Sequence, residues 1–183
     1  NVKNQGIISN KTTNTTYTYS NAMQVSGIIG NVNTAKTINF IDCENTGKIS
    51  SPGLRQMSGI ANIENAENLI FENNVNKGNI EATMTTGNQI SAGGVIGENE
   101  ASELLSGENR GNIVVVGAVD EDADDDVNTI AIAGGIVGRN FGAAEVHQGT
   151  NSGSVVATVS TECYSGGITG YNAVETGTVS KTY

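Results

Sequence analysis

Few side chains in this chain carry reactive chemistry, and their spacing limits what they can do. His147 is the single histidine. A hydrolytic triad holds a histidine between a nucleophile and a carboxylate, and no motif around His147 supplies those partners. It follows Val146 on a β-prone stretch, where alternation points it outward as a lone surface histidine. No phosphate loop or zinc-ligand spacing occurs. Arg55, Arg110 and Arg139 are the only arginines, too few to grip an acidic polysaccharide. The 19 acidic residues do offer many carboxylate pairs, and two facing carboxylates are the apparatus of glycoside hydrolysis. Nothing singles out one pair, so the main reading is that the chain is not an enzyme.

The densest group of hard oxygen ligands is Asp120, Asp122, Asp124 and Asp126. Their alternation suggests a calcium loop, but the glycine of position six is missing and Ala131 stands where the glutamate of position twelve belongs. The run therefore reads as a solvated acidic loop that binds Ca²⁺ weakly at most, and no other cofactor is expected. A second polar insertion, near residues 9–24, is rich in Thr and Asn and carries Tyr17 and Tyr19. It reads as an extended loop, and more sharply as a sugar-contacting surface, because aromatic rings offer flat apolar faces.

The frame that holds these loops is acidic and poor in charge. Over 183 residues the net charge is -10, charged residues make up 15%, and there are 24 Gly, one Pro and no Trp. Such a chain lacks the clustered Lys and Arg that bind nucleic acid. It gains nothing from an anionic membrane surface, and no apolar run approaches the roughly 18 residues of a membrane span.

Two short signatures alternate along the chain. The first is Ser26-Gly27-Ile28-Ile29, recurring at Ser58-Gly59-Ile60, Gly93-Gly94-Val95, Gly134-Gly135-Ile136 and Gly166-Gly167-Ile168. The second is N-x-G followed by an apolar residue, with its asparagine at Asn4, Asn45, Asn76, Asn109 and Asn151. From the glycines at 27, 59, 94 and 135 to the next N-x-G glycine, at 47, 78, 111 and 153, the gaps are 20, 19, 17 and 18. The return gaps from the glycines at 6, 47, 78, 111 and 153 are 21, 12, 16, 24 and 14. One half of the repeat is nearly constant and the other takes insertions, as in a solenoid whose loops grow on one side.

Between the signatures lies a short apolar stretch that includes Ile38 and Phe40, Leu69 and Phe71, Leu104 and Leu105, and Val146. The three runs of each repeat are β-branched or aromatic and bounded by turn residues, which is a strand pattern. The expectation is one all-β domain over 1–183, with insertion loops near 9–24 and 117–128. It is a parallel β-solenoid of about four to five coils, each of three short strands, coiled right-handed as parallel crossovers are. Stacking aligns Ile28, Ile60, Val95, Ile136 and Ile168 into one interior ladder, and Ile49, Ile80, Ile113 and Val155 into another. Gly27, Gly59, Gly94, Gly135 and Gly167 take corners or positive φ. Asn45, Asn76, Asn109 and Asn151 form an axial amide ladder or, alternatively, only turns. The second coil has Ala61-Asn62 where other copies have glycine, which predicts a distorted corner.

These residues resemble a known family. Gly134 to Asn140, a short apolar strand, and Cys43-Glu44-Asn45-Thr46-Gly47-Lys48-Ile49 are similar to the GLUG repeat. The resemblance spans nearly the whole chain. It implies a stalk or accessory region of bacterial surface or secreted adhesin-like proteins and immunoglobulin A peptidases, with no catalytic residues in the repeat. The departures are at the Cys43 position, where Asn74, Gly107 and Gly149 stand in other copies. The functional expectation is a structural or adhesive stalk module, extracellular or on a bacterial cell surface, that displays loops to a host glycan or protein. One alternative is a self-assembling extracellular fibre subunit that stacks end to end. The other is a carbohydrate-active β-helix enzyme.

Two further expectations follow from the register. The chain opens on an N-x-G signature and closes on Thr178-Val179-Ser180-Lys181-Thr182-Tyr183, at the position of the strand that precedes that signature. This suggests a segment of a longer array, with head-to-tail stacking as the alternative. Cys43 and Cys163 lie about four coils apart, roughly 19 Å at ~4.8 Å per coil, beyond the ~7 Å reach of a disulfide. Two free, buried thiols are expected.

Overall fold

A computed structural model describes residues 1–9, 24–33, 35–52, 56–84, 89–100, 103–104, 106–117, 130–141, 145–159 and 162–173. Asp120, Asp122, Asp124, Asp126, Tyr17, Tyr19 and the closing run from Thr178 lie outside the described residues.

The described residues form an all-β parallel solenoid. The described strands fall into five columns, A to D with five strands each and E with four. Column A contains Lys3–Asn4, Glu44–Asn45, Asn74–Asn76, Gly107–Asn109 and Gly149–Asn151. Column B contains Ile8–Ser9, Ile49–Pro52, Ile80–Met84, Ile113–Gly117 and Val155–Thr158. Column C contains Gln24–Ser26, Gln56–Ser58, Gln89–Gly93, Ile130–Gly134 and Glu162–Gly166. Column D contains Ile29–Val32, Ala61–Ile63, Ile96–Asn99, Val137–Phe141 and Thr169–Ala173. Column E pairs Ala35–Ile41 with Ala66–Glu72, and Glu103–Leu104 with Glu145–Val146.

The count of strands per coil is five rather than three. Each glycine signature is broken at its glycine, so Ser26 ends one strand and Ile29 opens the next, and Asn45 and Ile49 do the same. Both apolar ladders form as the repeat arithmetic predicts. Backbone hydrogen bonds of 2.9–3.1 Å link Ile28 to Ile60, Ile60 to Val95, Val95 to Ile136 and Ile136 to Ile168. Ile8, Ile49, Ile80, Ile113 and Val155 are register neighbours in column B. Ile49, Ile80 and Ile113 are fully buried, and each contributes about 1.5–3 kcal/mol of apolar burial.

Columns C and D fold back on each other within a coil. Their hairpin tip, the first glycine signature, reaches the A–B corner: a Cβ on Gly59 would lie 2.4 Å from Asn76 Cγ. This hairpin divides the interior into two apolar compartments. One packs Ile60, Ile96 and Ile136 against Phe40, Phe71 and Val146. The other packs Ile49, Ile80 and Ile113 against Met57, Ala92 and Ala133. Columns C and D themselves meet almost without side chains, because a Cβ on Gly97 would lie 2.5 Å from the Met57 carbonyl oxygen. Ser91 Oγ closes the gap by donating to the Gly97 carbonyl at 2.6 Å.

The fixed and variable halves of the repeat now have a cause. The D–E–A half closes around the first compartment, and its D-to-E links run only from 32 to 35, 63 to 66, 99 to 103 and 141 to 145. The B-to-C links run from 9 to 24 and from 117 to 130 in two coils, but from 52 to 56 and 158 to 162 in others. Each joins the end of a column B strand to the start of a column C strand, and added length in such a link costs little.

Two expectations need correction. The signature glycines take the corner at the hairpin tip, as one of the two expected roles, but none has a positive φ. They supply room, since Cβ atoms on Gly27, Gly59, Gly94 and Gly135 would meet the next coil's glycine carbonyl at 2.0–2.1 Å. Among the described non-glycine residues, the left-handed ones are instead Asp42 (φ 54°), Asn73 (54°) and Gln148 (40°), at the E-to-A corner. Both cysteines are free, but only Cys43 is buried and Cys163 is exposed. The register neighbour of Cys163 is Ala131, which is fully buried between coils on both sides. Cys163 has a column neighbour on one side only among the described residues. His147 lies on the outward side of the alternation as expected, with Val146 buried beside it, its own side chain 30% exposed and Nε2 3.0 Å from Glu145 Oε2.

The second-coil corner is distorted as expected. Register shifts occur where Ala61–Ile63 faces Ile29–Val32 and Ile96–Asn99. This strand is one residue shorter than its neighbours, and Asn62 Nδ2 compensates by donating to the Gly30 carbonyl at 2.8 Å and Ser26 Oγ at 3.0 Å.

Candidate binding surface

The predicted asparagines do form a ladder, and they also make turns. Asn45 Nδ2 donates to Asn76 Oδ1 (2.8 Å), Asn76 to Asn109 (2.8 Å) and Asn109 to Asn151 (2.7 Å). Asn4 extends the ladder by donating to Asn45 at 2.7 Å. Each amide also closes its own turn, as when Asn76 Nδ2 donates to the Gly78 carbonyl at 2.8 Å. Gly27, Gly59, Gly94 and Gly135 sit against Asn45, Asn76, Asn109 and Asn151 in turn. A second ladder, Asn99 to Asn140 (2.9 Å) to Asn172 (3.0 Å), escaped the sequence reading although Asn recurs two residues after Gly97, Gly138 and Gly170. These residues hold the scaffold together.

Polar and aromatic side chains collect where columns C and D diverge from the hairpin tip; Gln56, Ser91, Ile132 and Glu98 are buried there, and Gln24, Arg139, Tyr164 and Tyr171 are half-buried. Gln24, Gln56, Ser91, Ile132 and Tyr164 are one register row of column C. Glu98, Arg139 and Tyr171 are a row of column D. At the first two coils, Gln24 Nε2 donates to both Gln56 Oε1 and Glu64 Oε1, which links the two columns. Asn31 and Asn33 donate to Glu64 Oε2 at 3.2 and 2.9 Å.

At the last two coils the same columns carry aromatics and a cation. The Arg139 guanidinium lies 3.6 Å from the Phe141 ring centroid and 5.8 Å from that of Tyr171. Tyr164 and Tyr171 meet edge to face, 4.9 Å between centroids. The Tyr164 hydroxyl donates to Glu162 Oε2 at 3.2 Å, and this hydrogen bond, with the carboxylate charge, raises the phenol above its usual range. All four flanking side chains, Arg139, Phe141, Tyr164 and Tyr171, are half-buried. Phe40 and Phe71 stack inside the core at 5.2 Å. Phe141, Tyr164 and Tyr171 are therefore the aromatics outside the core among the described residues, and they share one patch.

This cluster also escaped the sequence reading. Its only signal was the scarcity of aromatics, 4% of the chain, with three of them between 141 and 171. Its rings and planar polar groups are suited to binding. Among the described residues, no three His, Cys, Asp or Glu side chains group where they could hold a metal ion. In comparisons with known proteins, the chain matches no family model, no curated protein and no solved structure.

Proposed function

We propose that this chain is a structural and adhesive stalk module of a secreted or cell-surface bacterial protein, whose coils hold binding elements in place. The observation that supports this reading best is the combination of unbroken axial ladders with B-to-C links of unequal length. The ladders resist sliding of one coil over the next, because register is set by every buried pair. The long links, near 9–24 and 117–128, are then free to vary without disturbing the packed cross-section. The resemblance to GLUG repeats supports the bacterial surface setting.

Microspheres coated with the chain test this reading. They should adhere to host epithelial cells. Replacing residues 118–128 and 10–23 by the three-residue link of the second coil should abolish adhesion and leave the melting temperature unchanged. Adhesion unaffected by that replacement, or collapse of the shortened solenoid, overturns loop display.

A further inference from the structure

We draw no further inference here: the strongest candidate, the outward face of column B where Val116 and Val156 stand exposed on neighbouring strands, is an apolar surface patch and nothing in the structure shows what covers it.

Discussion

A Cβ placed on Gly94 would lie 2.4 Å from Asn109 Cγ and 2.1 Å from the Gly135 carbonyl oxygen. The two signatures of the repeat therefore meet in space: the glycine of one leaves the gap that the asparagine of the other occupies. Any side chain at the hairpin tip pushes the tip off the A–B corner and disturbs both compartments together.

Gly94→Ala should accordingly destabilise the fold by about 3 kcal/mol, the upper end of ordinary overpacking. Gly30→Ala meets nothing nearer than the Gln24 carbonyl oxygen at 3.4 Å and should change stability by no more than about 0.5 kcal/mol. Urea midpoints of the two variants decide it. Equal midpoints would show that the tip can relax.

Asn76 is fully buried, donates to Asn109 Oδ1 and the Gly78 carbonyl, and accepts from Asn45 Nδ2. Asn76→Ala strands buried donors and acceptors on three residues and should cost about 3 kcal/mol or more. Asn4→Ala, at the partly exposed end of the ladder, should cost less than about 1 kcal/mol. Thermal melts in the same buffer would show the gradient, and a uniform loss at both positions would remove the ladder as a source of stability.

Acid should weaken the fold through two carboxylates. Glu44 lies 3.5 Å from Lys3 and 3.2 Å from Lys77, and the hydrogen bond from Lys77, ahead of the other contacts, holds it below its ordinary value of 4.5. The Arg110 hydrogen bond lowers Glu108 likewise. A carboxylate lowered on folding binds fewer protons in the native state. Its contribution is complete above the unfolded value near 4.5 and fades as pH falls through the native one. Urea midpoints measured from neutral to acid pH should therefore drop below about pH 4.5. Glu44→Gln should make that drop shallower, and high salt should shrink the difference because both groups face solvent. An identical acid slope in Glu44→Gln would mean these ion pairs contribute nothing.

The two thiols should differ sharply in reactivity. An aqueous thiol reagent should modify Cys163, which is exposed, and spare Cys43, which is buried with Sγ 3.8 Å from the Ile41 carbonyl oxygen. One equivalent should react in buffer and two in denaturant. Two fast equivalents in buffer would show that the first compartment opens readily near Cys43.

What the sequence by itself determined is everything that repeats along the axis. In parallel, in-register stacking each residue lies on its own copy one coil away, so Ile49, Ile80 and Ile113, or Asn45, Asn76 and Asn109, announce their contacts by recurring. The strand class, the two apolar ladders, the amide ladder and the distorted corner at Ala61-Asn62 were readable for that reason. Contacts across the coil join unlike positions and leave no period. Only the tertiary structure decided that each signature breaks into two strands, and that columns C and D fold back to divide the core. The exposure of Cys163 followed from its place beside Ala131 at the last described coil of column C. The gathering of Arg139, Phe141, Tyr164 and Tyr171 likewise depended on two strands diverging from one hairpin tip. Spacing in one dimension encodes which coil lies above which, and the shape of the coil is set by how the backbone packs on itself at glycines with no room for a side chain.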